Sequence, residues 1–441
     1  MKKSLKIAYL ITGENLASPL LRRQVVELLG DIRRLITNGE ITVFLFYSVP
    51  TILAHRQDIA VSRKRLSDSG IRVVVIPTLC PWPIPNPRIR RTPMGWRPVA
   101  IWGRCTLRLF KLLTLPFLAW LRIVRGYTLF HCRSYPSTSA AVFLKQFIPT
   151  TSVLFDPRSD FPEENVTAGN WKHNSRQFRY WKREEARLLE AADYVACIGP
   201  SYVRAFQEST TSFNYFIAPN NVRCGEFRRD NVQRETLRRS LGIQDDEIVF
   251  AYLGTLTATG WHRPDIYLSF YKQLVKVTQH FRFLFLVPGE QAPLVKNVFH
   301  GESGVIVASP THEEVGTYLT AADVGMMFLQ QAKIALGTKI PEYLAASLPV
   351  LVNENCRGAV DLLDRHPHLG MIVNLGLGDM DKHLQIQPDL IERLRERIAS
   401  LDSLAAYAVE TFDNTAIAKQ YALKYRQITE GRYDLGILEP Q

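Results

Sequence analysis

The sequence predicts an α/β protein of two Rossmann-like, doubly wound domains, and three observations lead there. The 441 residues are too many for one hydrophobic core and suit two domains of about 200 residues each. Short apolar runs alternate with helix-period segments along nearly the whole chain, as parallel strands covered by helices require. The alternation breaks once, near 220–230, where the chain turns polar and basic.

The first series opens with an apolar run at 7–11, read as a buried strand, followed by Gly13 and an amphipathic segment at 19–36. Strands are expected at 41–47, 72–76, 128–131 and 152–155, then a charged helix at 178–191 and a strand at 194–198. In the second series they are expected at 248–253, 281–287, 305–308, 324–328 and 349–352, with a last helical pattern over 413–429. The expected domains are therefore 1–222 and 223–412. Asp193 and Asp323 each follow two alanines and precede a strand, which reads as a structural helix-to-strand joint.

With 46% hydrophobic and 22% charged residues the chain is expected to be globular. The apolar stretch after the N-terminal lysines is too short for a signal peptide or a span, so a cytoplasmic location is expected. Cys80, Cys105, Cys132, Cys197, Cys224 and Cys356 are widely separated; reduced thiols are expected, and no metal site.

The net charge of +12 is uneven: between Asp68 and Asp156 there are twelve Lys and Arg and no acid. Within 82–125, Arg88, Arg90, Arg91, Arg97, Arg104, Arg108, Lys111, Arg122 and Arg125 are interleaved with Trp96, Trp102, Phe110, Phe117 and Trp120. Such a segment suits the anionic surface of a membrane, where each basic residue contributes about 1 kcal/mol. A helix packed on the sheet with a basic, solvated outer face fits the same residues. A span is excluded, because the uncharged run at 112–121 is short and contains Pro116. Nucleic-acid binding is not expected, since no recognition motif accompanies the charge.

The densest chemistry lies at 337–350, Gly-Thr-Lys-Ile-Pro-Glu-Tyr-Leu-Ala-Ala-Ser-Leu-Pro-Val. Gly337 and Thr338 can form a tight turn at a helix start, where backbone amides favour an anion. Lys339 adds a full charge. Glu342, in the first turn, can accept two hydrogen bonds from a sugar diol, and Pro341 is tolerated there. A diphosphate and a ribose fit this pattern; so does a plain capped helix with a surface Lys and Glu.

The segment resembles the donor-site signature of family 4-type retaining glycosyltransferases with the GT-B fold, of the kind found in bacterial surface polysaccharide biosynthesis, Ser-Pro-Thr-Lys-x-x-Glu-Tyr-Leu-Ala-x-Gly-x-Pro-Val. Thr338, Lys339, Glu342, Tyr343, Leu344, Ala345, Pro349 and Val350 match, while Gly337 replaces the usual Pro and Ser347 the usual Gly. The resemblance implies two domains facing each other across a cleft, with the helix at about 413–430 packing back on the first. It implies a nucleotide diphosphate sugar as donor substrate, bound by Gly254, Thr255, Gly337, Thr338, Lys339 and Glu342. Lys339, His131 and Arg263 are the catalytic candidates, and Gly13, Arg133, Asp156 and Arg158 belong to the acceptor or sugar side. His131-Cys132-Arg133-Ser134 and Asp156-Pro157-Arg158 resemble family segments at strand ends. His131 as a buried strand-end residue, and Asp156 with Arg158 as a structural ion pair, remain open readings.

Three positions depart from the pattern. Thr255 and Thr259 stand where many relatives carry Arg and Lys, and Ile334 where the longer motif begins with Glu. His262 or Arg263 are the nearby cations that can compensate. By the resemblance, the reaction needs no cofactor or metal and proceeds with retention, the leaving diphosphate taking the acceptor proton. A saccharide acceptor, lipid-linked and presented at the inner face of the cell membrane, is expected from the basic aromatic segment. A non-catalytic relative and a GT-B-fold epimerase are the alternatives; a dinucleotide enzyme is disfavoured because Gly13 stands alone after the first strand.

Overall fold

In the computed structural model, the residues described are 4–16, 18–78, 104–258, 260–375, 389–398 and 402–429. Residues 82–103 of the basic segment, and Thr259, lie outside them. The chain forms two compact units, Met1–Ala218 with Ile417–Gln441, and Pro219–Ala416.

The first unit holds a seven-stranded sheet: β1 (Leu5–Thr12), β2 (Gly39–Ser48), β3 (Arg72–Thr78), β4 (Leu129–Arg133), β5 (Ser152–Asp156), β6 (Tyr194–Cys197) and β7 (Tyr215–Ile217). Their order is β3-β2-β1-β4-β5-β6-β7, and every pair is parallel. The central strands are buried along both faces, which is why they read as continuous apolar runs rather than alternating ones. The helix Asn414–Ile428 contributes Ile417, Tyr421, Tyr425 and Ile428 to the same core as Ile7, Val43, Leu129 and Leu154. Their spacing places them on one helical face, and burial of each is worth about 1.5–3 kcal/mol.

The second unit holds a six-stranded parallel sheet of β8 (Ile248–Leu253), β9 (Phe281–Leu286), β10 (Val305–Ala308), β11 (Val324–Met327), β12 (Val350–Asn353) and β13 (Gly370–Val373), in the order β10-β9-β8-β11-β12-β13. Each sheet thus reverses its winding once, between β1 and β4 and between β8 and β11. The carboxyl ends beside such a reversal open a crevice that the adjoining loops flank.

The two aspartates play matching parts. Asp193 accepts a hydrogen bond from the Val153 amide at 2.7 Å and pairs with Lys145. Asp323 accepts from the Val249 amide at 2.8 Å and is clamped by Arg234 and Arg238. Each ties its helix-to-strand joint to the start of a neighbouring strand.

The helix Arg104–Ile123 covers the first sheet with Leu107, Phe110, Leu118 and Leu121. Its outer side leaves Leu109, Leu112, Leu113, Trp120 and Ile123 exposed. No described helix is long and apolar enough to cross a membrane.

Candidate functional site

In the second unit, the reversal between β8 and β11 is held by one side chain. The Tyr343 hydroxyl accepts from the Leu253 amide at 2.8 Å and donates to the Met326 carbonyl at 3.1 Å. Its ring lies so close to Gly325 that a Cβ there would stand 2.3 Å from Cγ. Tyr343 therefore locks the helix Lys339–Ala345 across the two central strands. The helix ends in a Schellman turn, with the Leu348 amide on the Tyr343 carbonyl and the Ser347 amide on Leu344. Ser347 takes φ +59°, the left-handed conformation that favours Gly at this motif position.

Directly before that helix, Gly337 passes Met327 so closely that a Cβ would meet its sulfur at 2.4 Å. Thr338 is exposed and caps no amide with its side chain. The helix has seven residues, so Lys339 supplies more charge here than the short helix dipole. The Lys339 ammonium lies 3.3 Å from His262 Nε2 and 5.4 Å from the centroid of the Tyr252 ring. Burial, with Lys333 adding to it, pulls the Lys339 pKa down to about 8. Burial and then the charge of Lys339 press His262 to about 3, leaving it neutral. Gly254, at φ +115°, runs against the Lys339 stem. Glu342 is buried in the first helical turn, and Thr255 is exposed on the loop after β8.

Of the two residues expected to add compensating positive charge, the structure brings His262 to Lys339, but as a neutral ring. Arg263 instead pairs with Asp265 at the start of the helix Pro264–Leu274. An Arg two residues before an Asp at a helix start finds its partner locally, a signal readable in the sequence.

The loop at 329–338 has its own supports. Asn353 exchanges two 2.9 Å hydrogen bonds with the backbone of Leu329, and Asn355 binds the carbonyls of Leu329 and Gln330. Lys333 sits 4.0 Å above the Trp261 ring. Gly358 leaves room for the loop, since a Cβ would stand 2.5 Å from the Ile334 carbonyl oxygen. These residues escaped the sequence reading because none carries a motif; only Asn353 and Asn355, polar at the end of an apolar strand, gave a sign.

The remaining candidates gather in the first unit at the carboxyl ends of β1, β4 and β5. Gly13 turns at φ +73° after β1. Arg133 bonds Glu14 and Gln24. The His131 ring is enclosed by Tyr9, Tyr421 and Tyr425; Nδ1 is 2.7 Å from the Tyr425 hydroxyl and Nε2 3.5 Å from Asp156. Arg158, in a left-handed conformation at φ +55°, pairs with Asp156 and donates to the Tyr421 hydroxyl. His131 is 1% exposed and Asp156 1%. Burial alone would raise the Asp156 carboxyl, but Arg158 and His131 hold it at about 2. Burial keeps His131 neutral by lowering its pKa. In this arrangement His131, Asp156 and Arg158 anchor the 414–428 helix to two strand ends, and the imidazole is closed off from solvent.

Two parallel sheets, each with one reversal and clad in helices, form the α/β architecture of the GT-B glycosyltransferases. Sucrose-phosphate synthase from Thermosynechococcus elongatus is similar over 97% of this chain and 100% of its own, with a TM-score of 0.62 and 16% identity. Anabaena HepE, solved with UDP, is similar over 96% and 100%, with a TM-score of 0.62 and 15% identity. The lipopolysaccharide outer core galactosyltransferase WaaB in its apo form is similar over 96% and 100%, with a TM-score of 0.60 and 12% identity. At these identities the likeness is one of fold. No protein-family model matches the chain, and no curated sequence does.

Proposed function

We propose that this chain is a retaining, metal-independent glycosyltransferase that moves a sugar from a nucleotide diphosphate sugar to a hydroxyl of a lipid-linked saccharide in surface polysaccharide, exopolysaccharide or lipopolysaccharide assembly. The observation that carries it is the Lys339 ammonium, enclosed at the reversal of the second sheet between Gly254, His262 and Tyr252. With a pKa of about 8 it is mostly protonated at pH 7, and a diphosphate beside it would regain the stabilisation that burial removes. Loss of diphosphate from the anomeric carbon builds charge on the leaving oxygen, where Lys339 would act. Glu342, three residues on, is the partner for the ribose diol. HepE has also been solved with UDP-glucose, which supports a uridine nucleotide as the first to test.

The membrane part of the reading rests on the exposed Leu109, Leu112, Trp120 and Ile123 beside Arg108 and Arg125. Vesicle flotation tests it: failure to float with both anionic and neutral lipid removes it. For the donor site, calorimetric titration with UDP, GDP and ADP is the direct experiment. One nucleotide should bind, and Lys339→Ala and Glu342→Ala should each weaken it about 10- to 100-fold, as loss of a charge-assisted hydrogen bond does. Absence of binding by the intact protein would favour a non-catalytic relative, the reading to which the uncharged Thr255 and the self-paired Arg263 contribute. Product formation without an acceptor would mark an epimerase.

A further inference from the structure

The first unit carries a second concentration of charge that the donor site does not use. A groove of about 790 Å³ is lined by Arg108 and Lys111 on the helix Arg104–Ile123 and by Arg176, Arg179, Arg183 and Arg187 on the helix Arg176–Ala191. The helix Ser134–Phe147 packs against both and contributes Phe143 and Gln146 to the lining. The spacing of the four arginines places them along one side of their helix. Against these six cations the lining holds one carboxylate, Glu184.

Glu184 is already spent within the protein. It accepts two hydrogen bonds from Arg187, at 2.6 and 3.0 Å, and lies 3.8 Å from the Lys111 ammonium. No carboxylate pairs with Arg108, Arg176, Arg179 or Arg183 among the described residues. Burial lowers the Lys111 pKa, with Arg187 and Arg108 acting in the same direction against Glu184, so a second anion beside it would favour its charged form. Cations on two helices facing one concavity repel one another, and an anion there relieves the repulsion. Unpaired guanidinium forks match phosphate oxygens in a bidentate manner, and the volume exceeds what one phosphate fills.

We propose that this groove binds a ligand carrying two or more phosphate charges, as a diphosphate or as clustered phosphate headgroups, at a site formed by residues of the first unit. The proposal does not depend on the donor site, because the groove and its charge are features of the first unit alone; its lipid source shares Arg108 with the membrane reading above, and the pyrophosphate titration tests the groove without it.

The test uses the full chain with Lys339→Ala, so that the donor site does not contribute. Inorganic pyrophosphate is titrated calorimetrically, and vesicles of phosphatidylcholine with and without phosphatidic acid are sedimented with the protein. Saturable pyrophosphate binding that weakens at least tenfold in Arg179→Gln/Arg183→Gln is expected, and identifies a soluble source. Sedimentation only with phosphatidic acid, lost in the same double variant, supports the site with a lipid source. Both substitutions replace exposed side chains, so folding should persist, with Lys111→Gln as an independent second variant. Lack of binding to either probe, or binding left unchanged by both variants, overturns the proposal.

Discussion

The stem of Lys339 occupies the space beside Gly254: a Cβ on that glycine would lie 2.8 Å from Lys339 Cε and 3.3 Å from Nζ. The motif lysine and the glycine after β8 are therefore one device, although 85 positions separate them in the chain. Gly254→Ala meets two penalties, the contact and a φ of +115° that an L side chain rarely adopts. The expected cost is about 1–3 kcal/mol of stability, with nucleotide affinity reduced at least tenfold because the ammonium is displaced. Urea unfolding and calorimetric titration check the two effects. Unchanged affinity in a folded variant would show that Lys339 is not held by this contact.

The depressed pKa of Lys339 fixes the sign of a pH effect. In the free protein the ammonium loses its proton above about 8. A bound diphosphate favours the charged form and raises that pKa, so binding takes up a proton in this range. Affinity should be level near pH 7 and fall as pH rises through 8 to 9, by up to about tenfold per pH unit. Titrations in buffers of different ionisation enthalpy should reveal the proton uptake at pH 8.5. Equal affinity at pH 7 and 9 would remove Lys339 from the binding site.

The strands were legible because both sheets are parallel and covered on two faces, which leaves uninterrupted apolar runs such as β1 and β12. The motif around Lys339 and Glu342 was legible as well, since its helix, its turn and its tyrosine all lie within a few residues. Contacts that join distant segments were not. Asn353 and Asn355 gripping the loop at Leu329, or Trp261 under Lys333, have no local pattern. The second helix of the cationic groove is masked in the same way: Arg176, Arg179, Arg183 and Arg187 share a helical side, but acidic neighbours at Glu184, Glu185 and Glu190 cancel them in any count of net charge.

Ser347 gives a stability prediction of the opposite sign. It sits at φ +59° just past the 339–345 helix, in the position of a Schellman turn where glycine avoids the Cβ clash. Ser347→Gly should stabilise the second unit by about 0.5–1 kcal/mol, the relief of a left-handed side chain less the added freedom of glycine when unfolded. A higher urea midpoint with unchanged slope is the expected reading. A lower midpoint would mean that the serine hydroxyl contributes more than its backbone costs.

The aromatic cage around His131 makes the first unit sensitive to acid in two steps. His131 is neutral when folded, with its pKa below 6.5, so the unfolded chain binds a proton that the folded chain does not, and stability falls as pH drops below about 6.5. Asp156 is held at about 2 by Arg158 and His131 against the cost of burial. Its contribution is present above its unfolded value near 3.8 and is lost as pH falls through about 2. His131→Gln removes the first titration, so the stability lost between pH 7 and 5 should shrink while the loss at lower pH remains. Tyr425→Phe takes the hydroxyl from His131 Nδ1, 2.7 Å away. Leaving that buried nitrogen without its partner should cost about 1–3 kcal/mol at neutral pH. Denaturant unfolding at pH 7, 6, 5 and 3 separates the two variants. A pH profile identical to that of the wild type in His131→Gln would show that the imidazole is not the group protonated in the first step.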